Sequence, residues 1–304
     1  MKNPISIGIG KIDVKIGLEK TLEIIAEAGY QYVDFWLCLY CDKPDAPMRG
    51  ADRFAWVEKT AKLFRSYGLS VGQCHAYWKR KKEIGEDFSF DMPEEMLLAN
   101  FDACRMLDAD RLVFHPLERW MDMPDEETRK KILDINVEFF GSMVRKAEET
   151  GVHINIENLF DHNHKLLPGN PGLPCGRAED LIYITDKIGS EYVGVCLDTG
   201  HANIAGEDVP GMIRKLGGRL GSLHINDNFG LIGPIYEDLH LTPGYGRIDW
   251  KQVLEALSET GYSGTLNMEL IGEFSRLPLE ILVLHLENAR KTMQIMRDLY
   301  TPEV

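Results

Sequence analysis

The feature that most limits what this chain can become is an alternation. Apolar runs rich in β-branched residues fall at 5–10, 32–38, 70–77, 110–115, 152–157, 192–198, 220–226 and 263–269. Each is followed by a segment of helical spacing, at 18–28, 53–67, 94–107, 125–150, 178–188, 206–216, 250–260 and 278–299. Strands separated by helices lie parallel, because a parallel neighbour can be reached only through a crossover. Eight such units of roughly 30 to 40 residues, with no linker between them, predict an α/β protein. The expected architecture is a single (β/α)8 TIM barrel over residues 1–304, somewhat above the usual size of about 250 residues. A doubly wound sheet is the competing arrangement. It would carry a G-x-G-x-x-G phosphate fingerprint after the first strand, and the GIGKID found there lacks that spacing.

The chemistry gathers where the strands end. Residues 194–201 read GVCLDTGH: an apolar half suited to a buried parallel strand, then Asp198, Thr199, Gly200 and His201. A carboxylate and an imidazole three residues apart at such an exit make a poor core and a good metal or proton-transfer site. Other runs finish the same way, in His75, His115, Glu157, His224 and Glu269, and the loop EDLHLTPGYG adds Asp238 and His240. In a barrel all these exits share the face where active sites sit. Carboxylates and imidazoles converging from separate strands suit a divalent cation. Glu157, Asp198, His224 and Glu269, from four consecutive strands, form the candidate ligand set. Taken singly, each has an ordinary structural explanation: a hydrogen-bonded strand-end histidine, a rim charge, a loop cap. Five successive strands ending in a potential ligand are harder to explain that way.

Composition narrows the partners. A formal charge of −14 argues against nucleic acid, whose binding rests on neutralising phosphates with Lys and Arg. The one basic run, Lys79 to Lys82, is a solvated loop or a contact for a substrate phosphate. No apolar run approaches the roughly 18 to 20 residues that cross a bilayer, and MKNPISIGIGKID has no signal-peptide core. Six scattered cysteines fit reduced thiols in a cytoplasmic enzyme. Cys38 and Cys41 form a C-x-x-C without the second pair that a zinc site needs. Trp36, Tyr77, Trp78 and Trp120 fall near the exits of strands two to four, where flat rings either stack on sugar C–H faces or pack beneath loops. A homo-oligomer is compatible with all of this.

The segments LDTGH, IEN, LHINDN, DLHLTPGYGRIDW and NMEL resemble those of the xylose-isomerase-like barrel superfamily. That group includes sugar isomerases, ketose 3-epimerases, inosose dehydratases and endonuclease IV, and the resemblance runs from the first strand to the last. It implies a metal-dependent isomerase or epimerase of a small sugar, sugar phosphate or polyol, working through an enediolate. In the ketose 3-epimerases a Mn2+, Mg2+ or Co2+ ion is held by residues matching Glu157, Asp198, His224 and Glu269. There the two glutamates also act as catalytic groups, moving a proton on and off the carbon beside the carbonyl. His201 matches a substrate-binding histidine, and His75, His115 and His240 are left to bind substrate hydroxyls. Two groups of the strict ketose 3-epimerase pattern are absent: a Glu would fall at Asn163 and an Arg at Gly230. The resemblance to endonuclease IV implies a different outcome, three Zn2+ ions with His75, His115, His201, Asp238 and His240 as further ligands. A non-catalytic sugar-binding barrel is the third possibility.

Overall fold

The structure, a computed structural model, describes residues 2–76, 93–117, 126–160, 174–230, 238–274 and 277–301. Its strands are β1 (Ile5–Gly8), β2 (Tyr32–Trp36), β3 (Ser70–His75), β4 (Arg111–Phe114), β5 (His153–Glu157), β6 (Val193–Asp198), β7 (Leu220–His224) and β8 (Leu266–Met268). They form one parallel sheet in the order β7-β6-β5-β4-β3-β2-β1-β8. The two ends of the sheet meet. Ile225 N donates to Asn267 O at 2.7 Å, and Glu269 N donates to Ile225 O at 2.9 Å. The sheet is therefore a nearly closed barrel, the (β/α)8 architecture that the alternation predicts.

Helices α1 (Gly10–Ile16), α2 (Leu18–Glu27), α3 (Arg53–Ser66), α4 (Glu94–Met106), α5 (Glu126–Thr150), α6 (Ala178–Ile188), α7 (Thr199–Ile204), α8 (Val209–Leu216), α9 (Trp250–Glu259), α10 (Ile271–Phe274) and α11 (Leu279–Tyr300) surround it. Eight of these occupy the expected places. The three extra ones, α1, α7 and α10, are short turns at the exits of β1, β6 and β8. The eighth strand is shorter than expected: the chain bends at Gly264, and the Tyr262 hydroxyl donates to Thr265 O at 3.0 Å just before the ladder begins. Helix α8 likewise starts only at Val209, after Gly206 has taken a left-handed φ of 76° and Pro210 has set the first turn.

The strands bury one face against the helices. Phe35 of β2, fully buried, meets the Phe64 ring of α3 edge-on at 5.2 Å. Truncating such a side chain to Ala typically costs about 3–5 kcal/mol. The next residue inward behaves differently. Asp34 points to the other side of β2 and approaches side chains of β3, β7 and β8, which places it inside the barrel. All six cysteines are buried, and none is joined to another in a disulfide. Burial pushes the Cys41 thiol up to about 12, so that half of the C-x-x-C is a neutral thiol near pH 7. Among the described residues no helix is long and apolar enough to cross a membrane. Tyr77, Trp78, the Lys79 to Lys82 run, Trp120 and Asn163 lie outside the described residues.

Candidate active site and metal centre

Glu157 ends β5, Asp198 ends β6, His224 ends β7, and Glu269 follows β8 directly. The parallel ladder pairs Asp198 with His224, so the carboxylate and the imidazole sit at one level. All four residues are at most 5% exposed. One donor atom from each lies within 4.8 Å of the others. Three buried carboxylates at that spacing repel one another and have lost their hydration, so the cluster requires protons or a cation. The donor set of three carboxylates and one imidazole suits a divalent ion such as Mn2+, Mg2+, Co2+ or Zn2+.

The remaining histidines gather around this cluster. His75 Nε2 and His115 Nε2 approach Glu157 Oε2 at 3.4 and 3.2 Å, and His115 lies partly open at the rim. His201 Nε2 lies 3.6 Å and His240 Nε2 2.9 Å from Asp238 Oδ2. Two further groups with ligand spacing result, His75–His115–Glu157 and His201–Asp238–His240. Three of these rings are fixed from behind by main-chain carbonyls. Nδ1 of His75 lies 3.0 Å from Ala76 O, that of His201 2.9 Å from Asn158 O, and that of His240 2.8 Å from Glu269 O. Each contact turns Nε2 towards the site.

Electrostatics separates the two glutamates. Burial alone would raise both. Around Glu157, the facing His224 and His115 imidazoles reverse that and hold the carboxyl well below its usual range. At Glu269 burial prevails over His224 and His240, assisted by repulsion from Glu157 and Asp198, and the pKa is raised. His224 is opposed by its own burial, but Cys196 and the Glu269 and Glu157 carboxylates lift it well above the ordinary imidazole value. The Cys196 thiol is itself pushed up to about 11 by burial, hence neutral near pH 7, so the carboxylates are responsible.

Several residues that support the site escaped notice in the sequence. Asp198 caps α7, its Oδ1 accepting from His201 N at 2.7 Å while Oδ2 accepts from Asn226 Nδ2 at 2.9 Å. Asn158 brackets the Asp198 backbone, accepting from its N–H at 2.7 Å and donating to its carbonyl at 3.0 Å. Asp227 accepts from Asn228 N, Gly244 N, Gly246 N, Ile248 N and Trp250 Nε1 at 2.8–3.2 Å. That clasp folds back the loop carrying Asp238 and His240. At Gly246 a Cβ would fall 2.2 Å from the Asp227 carboxylate, so only glycine passes there. The segments IEN and LHINDN held these residues, but nothing in their spacing separated them from ordinary strand-end amides. Trp36 is 9% exposed with one ring face against Gly10, where a Cβ would lie 2.2 Å from ring atoms. Its Nε1 has no partner among the described residues. Gly230, where the strict epimerase pattern has an Arg, takes a left-handed φ of 66° beside Asn203.

The profile of the xylose isomerase-like TIM barrel family matches residues 22–299. An uncharacterized protein of Methanocaldococcus jannaschii, MJ1311, is 33% identical over 168 residues, 54% of this chain and 51% of that one. A D-psicose 3-epimerase of Enterocloster bolteae is 33% identical over 125 residues, covering 41% of this chain and 36% of the epimerase. An inosose isomerase of Bacillus subtilis is 26% identical over 193 residues, covering 63% and 64%. The matched stretch thus spans about a third to just under two thirds of these relatives. Among solved structures, an IOLI protein with a bound zinc atom superposes with a TM-score of 0.73 at 20% identity, covering 99% of this chain and all of its own. A D-tagatose 3-epimerase-like protein gives 0.70 at 21%, covering 98% of each. At such identities the superpositions speak for the fold. With a family match over nearly its whole length and the closed eight-stranded sheet to go with it, the chain belongs to the xylose isomerase-like TIM barrel family.

Proposed function

We propose that this protein is a metal-dependent isomerase or epimerase of a small sugar or polyol, with Glu157 and Glu269 transferring the proton. The observation that carries this is the buried cluster at the ends of β5 to β8, in which neighbouring groups drive two carboxyls apart in acidity. Such a split is how an enzyme assigns base and acid to like residues. Glu157, Asp198, His224 and Glu269 would hold a divalent ion, which would supply Lewis-acid polarisation to a bound hydroxy-carbonyl compound and so acidify the C–H beside its carbonyl. Glu157, kept ionised, accepts that proton, and Glu269 returns one from its own side of the site. His201, oriented by Asn158 O, presents Nε2 to substrate hydroxyls, while His240, held between Glu269 O and Asp238 Oδ2, meets the substrate as part of that ion pair. The relatives named D-psicose 3-epimerase and inosose isomerase, and the zinc in the IOLI protein, support the same chemistry.

The test is solvent exchange. Incubated in D2O with D-psicose, D-tagatose or an inosose, the metal-loaded protein should place deuterium on the carbon beside the carbonyl. Glu157→Gln and Glu269→Gln should abolish this while leaving the fold intact. Product without deuterium would indicate a hydride shift and overturn the proton-transfer roles.

A second reading is favoured by one observation, the two further clusters His75–His115–Glu157 and His201–Asp238–His240. They are where additional zinc ions of an endonuclease IV-type enzyme would sit. Three zinc ions per chain together with nicking of abasic duplex DNA would establish it. One ion per chain and no nicking is the outcome expected from the charge of −14.

A further inference from the structure

We propose that Asp34 is the positioning residue that turns His224 towards the metal site, by accepting the Nε2 proton and so leaving Nδ1 as the ligand atom. The inference rests on the metal reading above. It comes from a contrast among four of the five site histidines. His75, His201 and His240 each set Nδ1 against a main-chain carbonyl and turn Nε2 to the cavity. His224 is reversed. Its Nδ1 lies 3.0 Å from Glu157 Oε1 and 3.5 Å from Glu269 Oε2, while its Nε2 faces the barrel interior.

A ring in that orientation needs an acceptor inside the barrel. The main-chain carbonyls there each already accept a ladder bond. Asp34 supplies the oxygen from β2, with Oδ2 3.2 Å from His224 Nε2. The ring N–H is not aimed squarely at that oxygen, so the pair meets as a close charge contact at 3.2 Å. The carboxylate is fully buried and held from two other strands. Gln73 Nε2 of β3 and Asn267 Nδ2 of β8 each donate to Oδ2 at 3.2 Å. A carboxylate inside a barrel is costly to keep there, and a sequence with no use for it would place an apolar residue between Val33 and Phe35. Fixing the far nitrogen of a metal-bound histidine with a carboxylate defines both its tautomer and its direction.

The experiment compares wild type with Asp34→Asn, which keeps the shape but offers an amide able to donate to Nε2 and stabilise the wrong tautomer. The Zn2+ dissociation constant is measured by chelator competition on metal-stripped protein, together with melting of the metal-free form. The expected result is a loss of zinc affinity of about 10- to 100-fold with little change in metal-free melting. In zinc-loaded wild type, long-range proton–nitrogen NMR should show the His224 proton on Nε2, shifted downfield and slow to exchange. Equal zinc affinity in the two proteins overturns the proposal, as does a drop in metal-free melting with affinity unchanged, which would make Asp34 purely structural. If Asp34→Asn does not fold, the wild-type spectrum decides, and a proton on Nδ1, or an unshifted one on Nε2, refutes it. Wild type that binds no zinc would instead remove the metal reading itself, so the two failures are distinguishable.

Discussion

Replacing Asp198 separates the metal site from the fold that holds it. In Asp198→Ala two donors lose their acceptor, the α7 N–H of His201 and the Asn226 amide. A lost helix cap costs about 1 kcal/mol and an orphaned buried amide about 1–3 kcal/mol. The metal-free variant should therefore lose roughly 2–4 kcal/mol, or about 4–8 °C of melting temperature at this chain length. Removing one of three mutually repelling carboxylates offsets part of that. Asp198→Asn keeps an oxygen for the cap, and its amide nitrogen meets Asn226, whose unpartnered Oδ1 can turn to accept, so its metal-free melting should fall less than that of Asp198→Ala. Added zinc should then tell the proteins apart. At a concentration 100 times its dissociation constant, zinc stabilises wild type by about 2.7 kcal/mol, near 5 °C. A variant binding 100-fold more weakly gains only about 0.4 kcal/mol at the same concentration, under about 1 °C. Thermal melting with and without zinc, alongside elemental analysis, measures this directly. A zinc-induced rise in Asp198→Asn as large as in wild type would refute the ligand assignment.

Two other expectations follow from the loop that carries Asp238. His240 is buried, and although burial opposes its protonation, Asp238 holds its pKa up at about 9. Between about 6.5 and 9 the folded protein therefore binds a proton that the unfolded chain does not, so metal-free stability should fall as pH rises through that window. A melting temperature unchanged from pH 7 to above 9 would contradict the ion pair. Asp227→Ala leaves five donors without their acceptor and should cost on the order of 3 kcal/mol, seen as a fall of about 6 °C in melting temperature and as weakened turnover. Wild-type melting and turnover in that variant would mean that the clasp does not hold the loop.

The barrel was legible in the sequence because its signal is repeated eight times, and a misjudged boundary in one unit leaves the other seven standing. The ends of elements were less legible. Residues 263–265 look like strand, yet the chain bends at Gly264, where the Tyr262 hydroxyl reaches Thr265 O. Helix α1 was hidden because it depends on a long-range contact, the Trp36 ring lying against Gly10. The candidate ligands could be read because each stands at a strand exit, a place that a one-dimensional pattern can mark. Asp34 could not. It sits mid-strand within YVDFW, and its role depends on His224, Gln73 and Asn267, which reach it from three other strands. A single charged residue inside an apolar run, Asp34 between Val33 and Phe35, is the signal of it that the sequence carries.

The site divides into two halves with different mechanical support. Glu157, Asp198, His224 and Glu269 sit on, or one residue beyond, strands locked in the ladder, so their spacing is a property of the barrel. Asp238 and His240 stand on a loop tied down by one carboxylate, Asp227, and by the Asp227–Leu241 bridge. His240 itself takes a left-handed φ of 46°, uncommon for a residue with a side chain, and holds it because its ring is fixed at both nitrogens. Chemistry common to a family belongs on the rigid half, where substitutions elsewhere do not disturb it. Choice of substrate belongs on the half that can be redrawn by changing a loop, as the exit face of a barrel permits. On this division, changes in the Asp238–Gly246 segment should alter which sugar is turned over while leaving the affinity for the ion in place. Changes at Asp34 or Asn158 should do the reverse.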